Sequence, residues 1–305
     1  MSCHFINKLF CRYKKYGIIG IVKLASSMVN NVMSSSDNLK DSDLSIEDLP
    51  AGQIRNAAVL IEYMFSSVRN DPYGLAMCYD ELSIEYNLKK DKLQMNDLFL
   101  TWLSEHLLNI FQSTYFVKYS TDEIPGSHSM KLAYKFLIED PEIECEMGMN
   151  MGMKVFLDQN EIDYVILPAL FKIVRVLMAE RNGLDKLTAC GSCPIMLPKA
   201  FLSDDDVLSD FDDVRAKQQL DVYFHVANWF REVIGTFVGS KDPLVQQSVR
   251  IRLSQLVKVE SKIASLLSEM PQHYQPPISD FMDTVSSSVN FEAVIKSKKG
   301  SKTGI

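Results

Sequence analysis

Residues 220–237 read LDVYFHVANWFREVIGTF, and this stretch decides the fold class. On an α-helix, which turns by about 100° per residue, its large apolar side chains fall on two faces. One face carries Leu220, Phe224, Ala227, Phe230, Ile234 and Phe237, and the second carries Val222, Val226, Trp229 and Val233. A helix that is apolar on two sides is buried on both of them. We therefore predict an inner helix that packs between neighbouring helices.

Further helical patterns lie on both sides of this stretch. Apolar residues recur at helical spacing in 5–33, 50–70, 73–86, 95–111, 162–180 and 249–269. The period is lost between residues 120 and 159, where proline, glycine and methionine are frequent, and no convincing strand is present anywhere. Helices of this length, with inner members apolar on two faces, suit stacked helix pairs better than a compact bundle. The prediction is an all-α fold of the helical-repeat (α-solenoid) type.

These patterns divide the chain into four parts. Residues 1–33 are expected to form a basic helix, 34–49 a polar loop, 50–282 the helical-repeat segment with an irregular insert near 120–159, and 283–305 a basic flexible tail. The tail carries Lys296, Lys298, Lys299 and Lys302. We interpret it as a disordered linker, with a nuclear-import element or a nonspecific nucleic-acid contact as alternatives.

Composition limits the classes of function. The 305 residues have a formal net charge of −7, which argues against tight nucleic-acid binding by the whole surface, because phosphate affinity comes mainly from lysine and arginine. No stretch has the eighteen or so consecutive apolar residues of a membrane span, so no membrane partner is expected. The six cysteines are too scattered for a disulfide framework and indicate a reducing, intracellular compartment.

Candidate reactive residues favour structural roles. Cys190 and Cys193 have CxxC spacing, but no second pair or histidine pair completes a zinc site, and no βαβ pattern supports a redox motif. His106 and His225 lie within apolar helical patterns and are expected to be core or boundary residues. The aspartates between 204 and 213 lack the glycine and terminal glutamate of a calcium-binding loop. We predict no catalytic residue, no metal and no cofactor.

The most specific stretch is Tyr13-Lys14-Lys15-Tyr16-Gly17-Ile18-Ile19-Gly20. It is either a basic helix surface or the site of a lysine whose amine acts as a nucleophile toward a thioester. The first thirty residues, which are basic and lack acidic residues, also mimic a mitochondrial transit peptide. The sequence alone leaves these interpretations open.

The segment from Lys15 to Gly20 resembles the monoubiquitination site of the Fanconi anaemia group D2 family, in which a lysine precedes a Tyr-Gly-aliphatic-Ile-Gly run. Six further elements resemble the same family in the same order: Cys78–Leu82, Phe111-Gln112 with Phe116-Val117, Leu167–Phe171, Cys193–Leu197, Asn228–Val233 and Tyr274–Pro277. Together they cover roughly residues 12–281, which corresponds to the central part of a much longer family chain.

This resemblance implies a non-enzymatic scaffold of interstrand crosslink repair in the nucleus, on chromatin. Lys15 would be the ubiquitin acceptor, with Lys14 as the fallback, and Tyr16, Gly17, Ile18, Ile19 and Gly20 would complete the acceptor motif. Lys23 departs from the family pattern and is a conceivable third acceptor. The implied partners are the group I paralogue, ubiquitin and its Fanconi ligase, and duplex DNA bound through the assembled complex. The alternatives are a generic helical-repeat adaptor and an enzyme built on Cys190 and Cys193.

Overall fold

The computed structural model describes residues 2–30, 44–89, 96–118, 132–136, 147–151, 164–181, 184–198, 213–269 and 274. Within these residues the chain is predominantly helical, which confirms the predicted all-α class. The helices are α1 Ser2–Val29, α2 Gln53–Ser67, α3 Pro72–Lys89, α4 Asp97–Tyr115, α5 Ile166–Arg181, α6 Asp185–Ser192, α7 Asp213–Phe237 and α8 Pro243–Glu269. None of these helices combines the length and apolar character that a membrane span requires.

Three of the helices begin at a capping side chain that the sequence supplies. Asp71 and Asp242 each precede a proline, and the carboxylate of each accepts a backbone N–H of the first helical turn, at 3.1 and 2.8 Å. Asn96 caps α4 in the same way at 3.1 Å. These side chains satisfy N–H groups that have no partner inside the helix, and proline is tolerated at the first position because it lacks that donor. Pro168 likewise lies in the first turn of α5, so it starts that helix and does not kink it.

Helix α5 occupies the centre of the packing. It contacts α3, α4 and α7, and every residue from Leu167 to Val174 is buried. Its Phe171 ring lies 4.8 Å from Trp229 of α7 and 5.5 Å from Phe111 of α4, measured between ring centroids. Lys172 is also buried there, and its Nζ donates to Asp80 of α3 at 2.8 Å. The predicted two-sided burial of 220–237 follows from this arrangement, because α7 packs between α5 and α8.

Four short strands correct the expectation that the chain contains no strand. They are β1 Phe116–Lys118, β2 Leu132–Lys135, β3 Met147–Asn150 and β4 Ile195–Pro198. They form one sheet in the order β1-β3-β4-β2, in which β3 and β4 are parallel and the two outer pairs are antiparallel. Strands of three or four residues are too short to display a period of two, which is why the sequence did not predict them.

The structure describes parts of two segments for which no regular structure was predicted. Strands β2 and β3 lie inside the insert predicted to be irregular near 120–159, whose other residues are mostly outside the described ones. Of the predicted polar loop, the part that the structure describes contains a short 3-10 helix, Ile46–Asp48, in which the Ser45 backbone N–H donates to the Asp48 carboxylate at 2.9 Å. The acidic run 204–213 except its last residue, and the predicted basic tail 283–305, lie outside the described residues.

A buried arginine joins the sheet to the last helices. Arg252 of α8 is fully buried, and its guanidinium donates to the carbonyl oxygens of Gly191, Phe136 and Cys193 at 2.9, 2.8 and 2.6 Å. Phe136, at the end of β2, has a φ of +56°, a backbone conformation that costs a residue with a Cβ atom about 1–2 kcal/mol. Arg252 therefore holds a strained turn and the C-terminal end of α6 against α8.

Candidate functional site

Lys15 lies exposed in the middle of α1. It precedes the buried residues Ile18 and Val22 by three and seven positions, so the three side chains project from the same side of the helix. Lys15 therefore lies on the same side of α1 as these core residues, although its own side chain is exposed. Among the described residues it forms no ion pair.

Lys14, the fallback acceptor, is held by Asp71, the residue that immediately precedes α3. Its Nζ lies 2.8 Å from Oδ2 of Asp71, and each side chain is about one-third exposed. The other carboxylate oxygen of Asp71 caps α3 by accepting the Gly74 N–H. A Cβ at Gly74 would lie 2.9 Å from the Asp71 Oδ2 atom, so glycine leaves room for the carboxylate. The hydrogen bond from Lys14 is the main reason why the pKa of Asp71 is below its ordinary value.

Lys23 is held by a second carboxylate of α3. Its Nζ forms a short ion pair with Glu85, whose side chain is only 2% exposed, whereas the Lys23 side chain is 56% exposed. Asp71 and Glu85 lie at opposite ends of α3, and Lys14 and Lys23 follow the same order along α1. The two ion pairs therefore fix α1 along α3 in a parallel direction.

The remaining residues of the predicted acceptor motif divide between the core and the surface. Ile18 is buried and Ile19 is partly buried, so both contribute to packing. Tyr16 is 69% exposed, and a Cβ at Gly17 or Gly20 would meet no atom within 4 Å. Tyr13 and Leu24 are exposed along the same side of α1. The internal packing of the described chain therefore does not require the two glycines.

The cysteine pair is a packing element in the structure. Cys190 is buried, and burial raises the pKa of its thiol to about 11, which opposes formation of the reactive thiolate. Cys193 lies just after α6, and its Sγ donates to the Met147 carbonyl oxygen at 3.4 Å. A Cβ at Gly191, between them, would lie 3.1 Å from the Phe237 ring, so this glycine permits α6 to pack closely on α7.

Other candidate residues also have structural partners. His106 is half-buried, lies 2.8 Å from a Glu62 carboxylate oxygen and stacks on Trp102, as expected for a boundary histidine. His225 lies on α7 with its ring 5.0 Å from that of Tyr164. Within the part of the chain that the structure describes, no group of three or more histidine, cysteine or acidic side chains is placed to hold a metal ion.

A cavity of about 400 Å³ lies between α6, the end of α7 and the start of α8. Its walls include Gly191, Val233, Phe237, Leu244 and Arg252. The Arg252 guanidinium, which is the cationic group in this wall, already donates to three backbone carbonyls and to Gln255. The guanidinium in the wall of this cavity is therefore already engaged in hydrogen bonds within the chain.

Sequence reasoning identified the lysines but missed Asp71 and Glu85. Asp71 falls between the helical patterns predicted for 50–70 and 73–86, and no local pattern distinguished Glu85. The pairings span 57 and 62 residues, and nothing in a single sequence indicates which distant lysine a carboxylate meets. The N-capping pattern Asp-Pro at 71–72 is the one signal that could have placed Asp71 at the start of a helix.

Comparisons with known proteins agree with the resemblance. The family model described as "Fanconi anaemia protein FancD2 nuclease" matches residues 6–305. A Fanconi anemia group D2 protein homolog of Drosophila melanogaster is 29% identical over 296 residues, which cover 90% of this chain and 20% of the relative. The homolog of Rattus norvegicus is 24% identical over 315 residues, covering 96% and 21%. The Gallus gallus protein is 22% identical over 313 residues, covering 95% and 21%. The chain thus spans about a fifth of the length of these relatives.

Proposed function

The chain belongs to the Fanconi anaemia group D2 family, and we propose that it is a non-enzymatic scaffold segment of DNA repair that accepts ubiquitin on Lys15. The observation that carries the proposal is the difference in ion pairing and exposure among three lysines of α1. Lys14 and Lys23 are each engaged by a carboxylate of α3, whereas Lys15 is exposed and heads the Tyr-Gly-Ile-Ile-Gly run. Lys14 is the fallback acceptor.

The proposed reaction needs only an accessible amine from this chain. The neutral Nζ of Lys15 attacks the carbonyl carbon of the thioester that links ubiquitin to a conjugating enzyme. The new C–N bond forms as the C–S bond breaks, the enzyme's sulfur leaves with the bonding electrons, and a proton from the amine passes to water. The ubiquitin ligase supplies the position of the thioester, so no catalytic side chain of the scaffold takes part.

The consequence of modification follows from effective concentration. By analogy with the family, we propose that this chain pairs with the group I paralogue around duplex DNA in the nucleus, on chromatin. A ubiquitin attached to one subunit that also contacts the other adds an intramolecular contact and favours the closed complex. DNA is bound through the assembled complex, in keeping with the net charge of −7 of this chain.

The family model's description also contains the word nuclease. Nucleases that use metal ions hold them with carboxylates or histidines, often two ions about 4 Å apart. The described residues offer no such group, so we assign no hydrolytic role to them. Incubation of the purified chain with duplex and branched DNA in Mg²⁺ or Mn²⁺ tests this assignment. Cleavage that copurifies with the chain and persists across preparations would contradict it.

Ubiquitin transfer in a reconstituted system tests the main proposal. The chain is combined with the group I paralogue, duplex DNA, the Fanconi ligase, its conjugating enzyme and ubiquitin, and the modified lysine is mapped by mass spectrometry. We expect modification at Lys15 that is lost in Lys15→Arg and retained in Lys14→Arg and Lys23→Arg. Modification at Lys14 or Lys23 in the unsubstituted chain would move the site. No transfer to a folded chain would favour the alternative, a generic helical-repeat adaptor.

A further inference from the structure

We propose that Asp71, which caps α3, and Glu85 of α3 form a lysine selector, which withholds Lys14 and Lys23 from acyl transfer and leaves Lys15 as the most reactive of these three amines. This inference rests on the proposed function for its biological use, because ubiquitin conjugation is an acyl transfer. The selection itself is a property of the free chain and is testable without ubiquitin.

The need for a selector arises from the spacing of the lysines. Lys15 and Lys23 follow Lys14 by one and nine positions, and nine positions correspond to about 13 Å along the helix axis. Each lysine side chain reaches several ångströms further on its flexible stem. A thioester brought to this part of α1 therefore encounters Lys14 and Lys15 at similar distances and Lys23 about two and a half turns away, and position along the helix alone separates Lys14 from Lys15 poorly.

Asp71 is suited to hold Lys14 because both its carboxylate and its backbone carbonyl accept hydrogen bonds from the first turn of α3. Oδ1 accepts the Gly74 N–H at 3.1 Å, and the backbone carbonyl of Asp71 accepts the Leu75 N–H at 2.9 Å. The free oxygen, Oδ2, then points at the Lys14 amine at 2.8 Å. A carboxylate that is part of a helix cap moves little when the lysine moves, so Lys14 must break its ion pair in order to attack an acyl donor.

Glu85 holds Lys23 more firmly, because the carboxylate is buried. Its side chain is 2% exposed, so departure of the Lys23 amine would take a cationic partner away from a carboxylate in the protein interior. Lys15 follows Lys14 by one position and so projects about 100° around the helix from it. Neither carboxylate of α3 is paired with Lys15 in the structure.

Competitive acylation of the folded chain measures this selection directly. A limiting amount of acetic anhydride is added at neutral pH, and the rate of acetylation at each lysine is obtained by mass spectrometry. We expect Lys15 to react faster than both Lys14 and Lys23. In Asp71→Asn, we expect the Lys14 rate to rise about two- to five-fold, which matches the usual strength of a partly exposed ion pair. In Glu85→Gln, the Lys23 rate should rise by a larger factor.

The substitutions separate charge from folding. Asparagine caps helices about as well as aspartate, so Asp71→Asn keeps the cap of α3 and removes only the ion pair. Glu81→Gln, on the same helix, removes a carboxylate that the described ion pairs do not use and should leave all three rates unchanged. If Glu85→Gln unfolds the chain, Asp71→Asn alone decides the matter. Equal rates for Lys14 and Lys15 in the unsubstituted chain, or no change of Lys14 in Asp71→Asn, would overturn the selector.

Ubiquitin transfer then distinguishes the selector from the proposed function. In a Lys15→Arg background, Asp71→Asn should restore part of the lost modification, now at Lys14. If the acetylation rates follow the expected order but ubiquitin reaches none of the three lysines, the selector stands and the acceptor assignment fails. If ubiquitin is placed on Lys15 while acetylation does not discriminate, the selector is wrong and the ligase alone chooses the lysine.

Discussion

The Nε of Arg252 donates to the carbonyl oxygen of Gly191 at 2.9 Å and so joins α8 to the last turn of α6 across 61 residues of sequence. The last carbonyls of a helix have no partner within it and carry a partial negative charge. These carbonyls, together with the ring of Phe230 at 4.9 Å from the guanidinium carbon, surround the buried cation. Burial lowers the pKa of Arg252 to about 10, so the side chain stays charged at neutral pH.

Replacement of Arg252 by methionine should lower the free energy of unfolding by about 2–4 kcal/mol, because several buried carbonyl oxygens lose their donor at once. Methionine keeps much of the side-chain volume of arginine, so the decrease in the free energy of unfolding arises from lost hydrogen bonds more than from lost packing. Urea unfolding followed by circular dichroism measures the change. Arg250→Met, at an exposed position of the same helix, should change stability by less than about 0.5 kcal/mol. Equal effects of the two substitutions would contradict the role of Arg252.

Gly191 and Gly235 should respond to alanine in opposite directions. A methyl group at Gly191 would lie 3.1 Å from the Phe237 ring and 3.2 Å from Val233, so we expect Gly191→Ala to destabilise the chain by about 1–3 kcal/mol. Gly235 lies in the last turn of α7 with open space around it, and Gly235→Ala should stabilise the chain by about 0.5–1 kcal/mol. Thermal unfolding of the two variants gives the signs. A stabilising Gly191→Ala would mean that α6 packs less closely than described.

The helical part of the fold was predictable because its elements repeat a strong pattern over many residues. Phe111, Phe171 and Trp229 belong to three different elements of the family resemblance, and they meet in one aromatic cluster. Much of the resemblance therefore reports core packing, which fixes fold more than function. The sheet was not predictable, since β3 reads Met-Gly-Met-Asn and owes its strand conformation to pairing with β4 and not to local preference.

The candidate site was predictable only in part. The sequence placed Lys15 at the head of its motif on a helix, and the structure places the side chain at the surface. The partners of Lys14 and Lys23 depend on how α1 lies along α3, and that orientation is set by the burial of Ile18, Val22 and their neighbours. The local spacing of residues in the sequence does not indicate how two helices pack against each other. Asp71 and Glu85 were therefore identified as lysine partners only from the structure.

The buried thiols should be protected from alkylation in the folded chain. Burial raises the pKa of Cys190 to about 11 and that of Cys78 to about 12, from an ordinary value of 9.0. A raised thiol pKa stabilises the fold below the unfolded value, and this contribution is lost as pH rises from about 9 toward the folded values. We expect neither cysteine to react with iodoacetamide at pH 8, and both to react in urea. Stability should fall above pH 9. Fast labelling of Cys190 at pH 8 would revive the redox interpretation of the CxxC pair.

Alanine at Gly17 and Gly20 should separate stability from function on α1. Glycine inside a helix costs about 0.8–1.0 kcal/mol relative to alanine, and a methyl group at either position would meet no atom of the chain within 4 Å. We therefore expect Gly17→Ala and Gly20→Ala each to raise the free energy of unfolding by about 0.5–1 kcal/mol.

If these glycines instead let the conjugation machinery approach the helix backbone, the same substitutions should lower ubiquitin transfer to Lys15 several-fold, although the folded chain is more stable. Urea unfolding and the reconstituted transfer assay, run on the same preparations, measure both quantities. Gly74→Ala is the contrasting variant, because its methyl group would crowd Asp71 at 2.9 Å and should destabilise the chain. If the alanine variants of Gly17 and Gly20 are more stable and still accept ubiquitin at the full rate, the two glycines have no role in the acceptor motif. The exposure of Lys15 would then account for the modification.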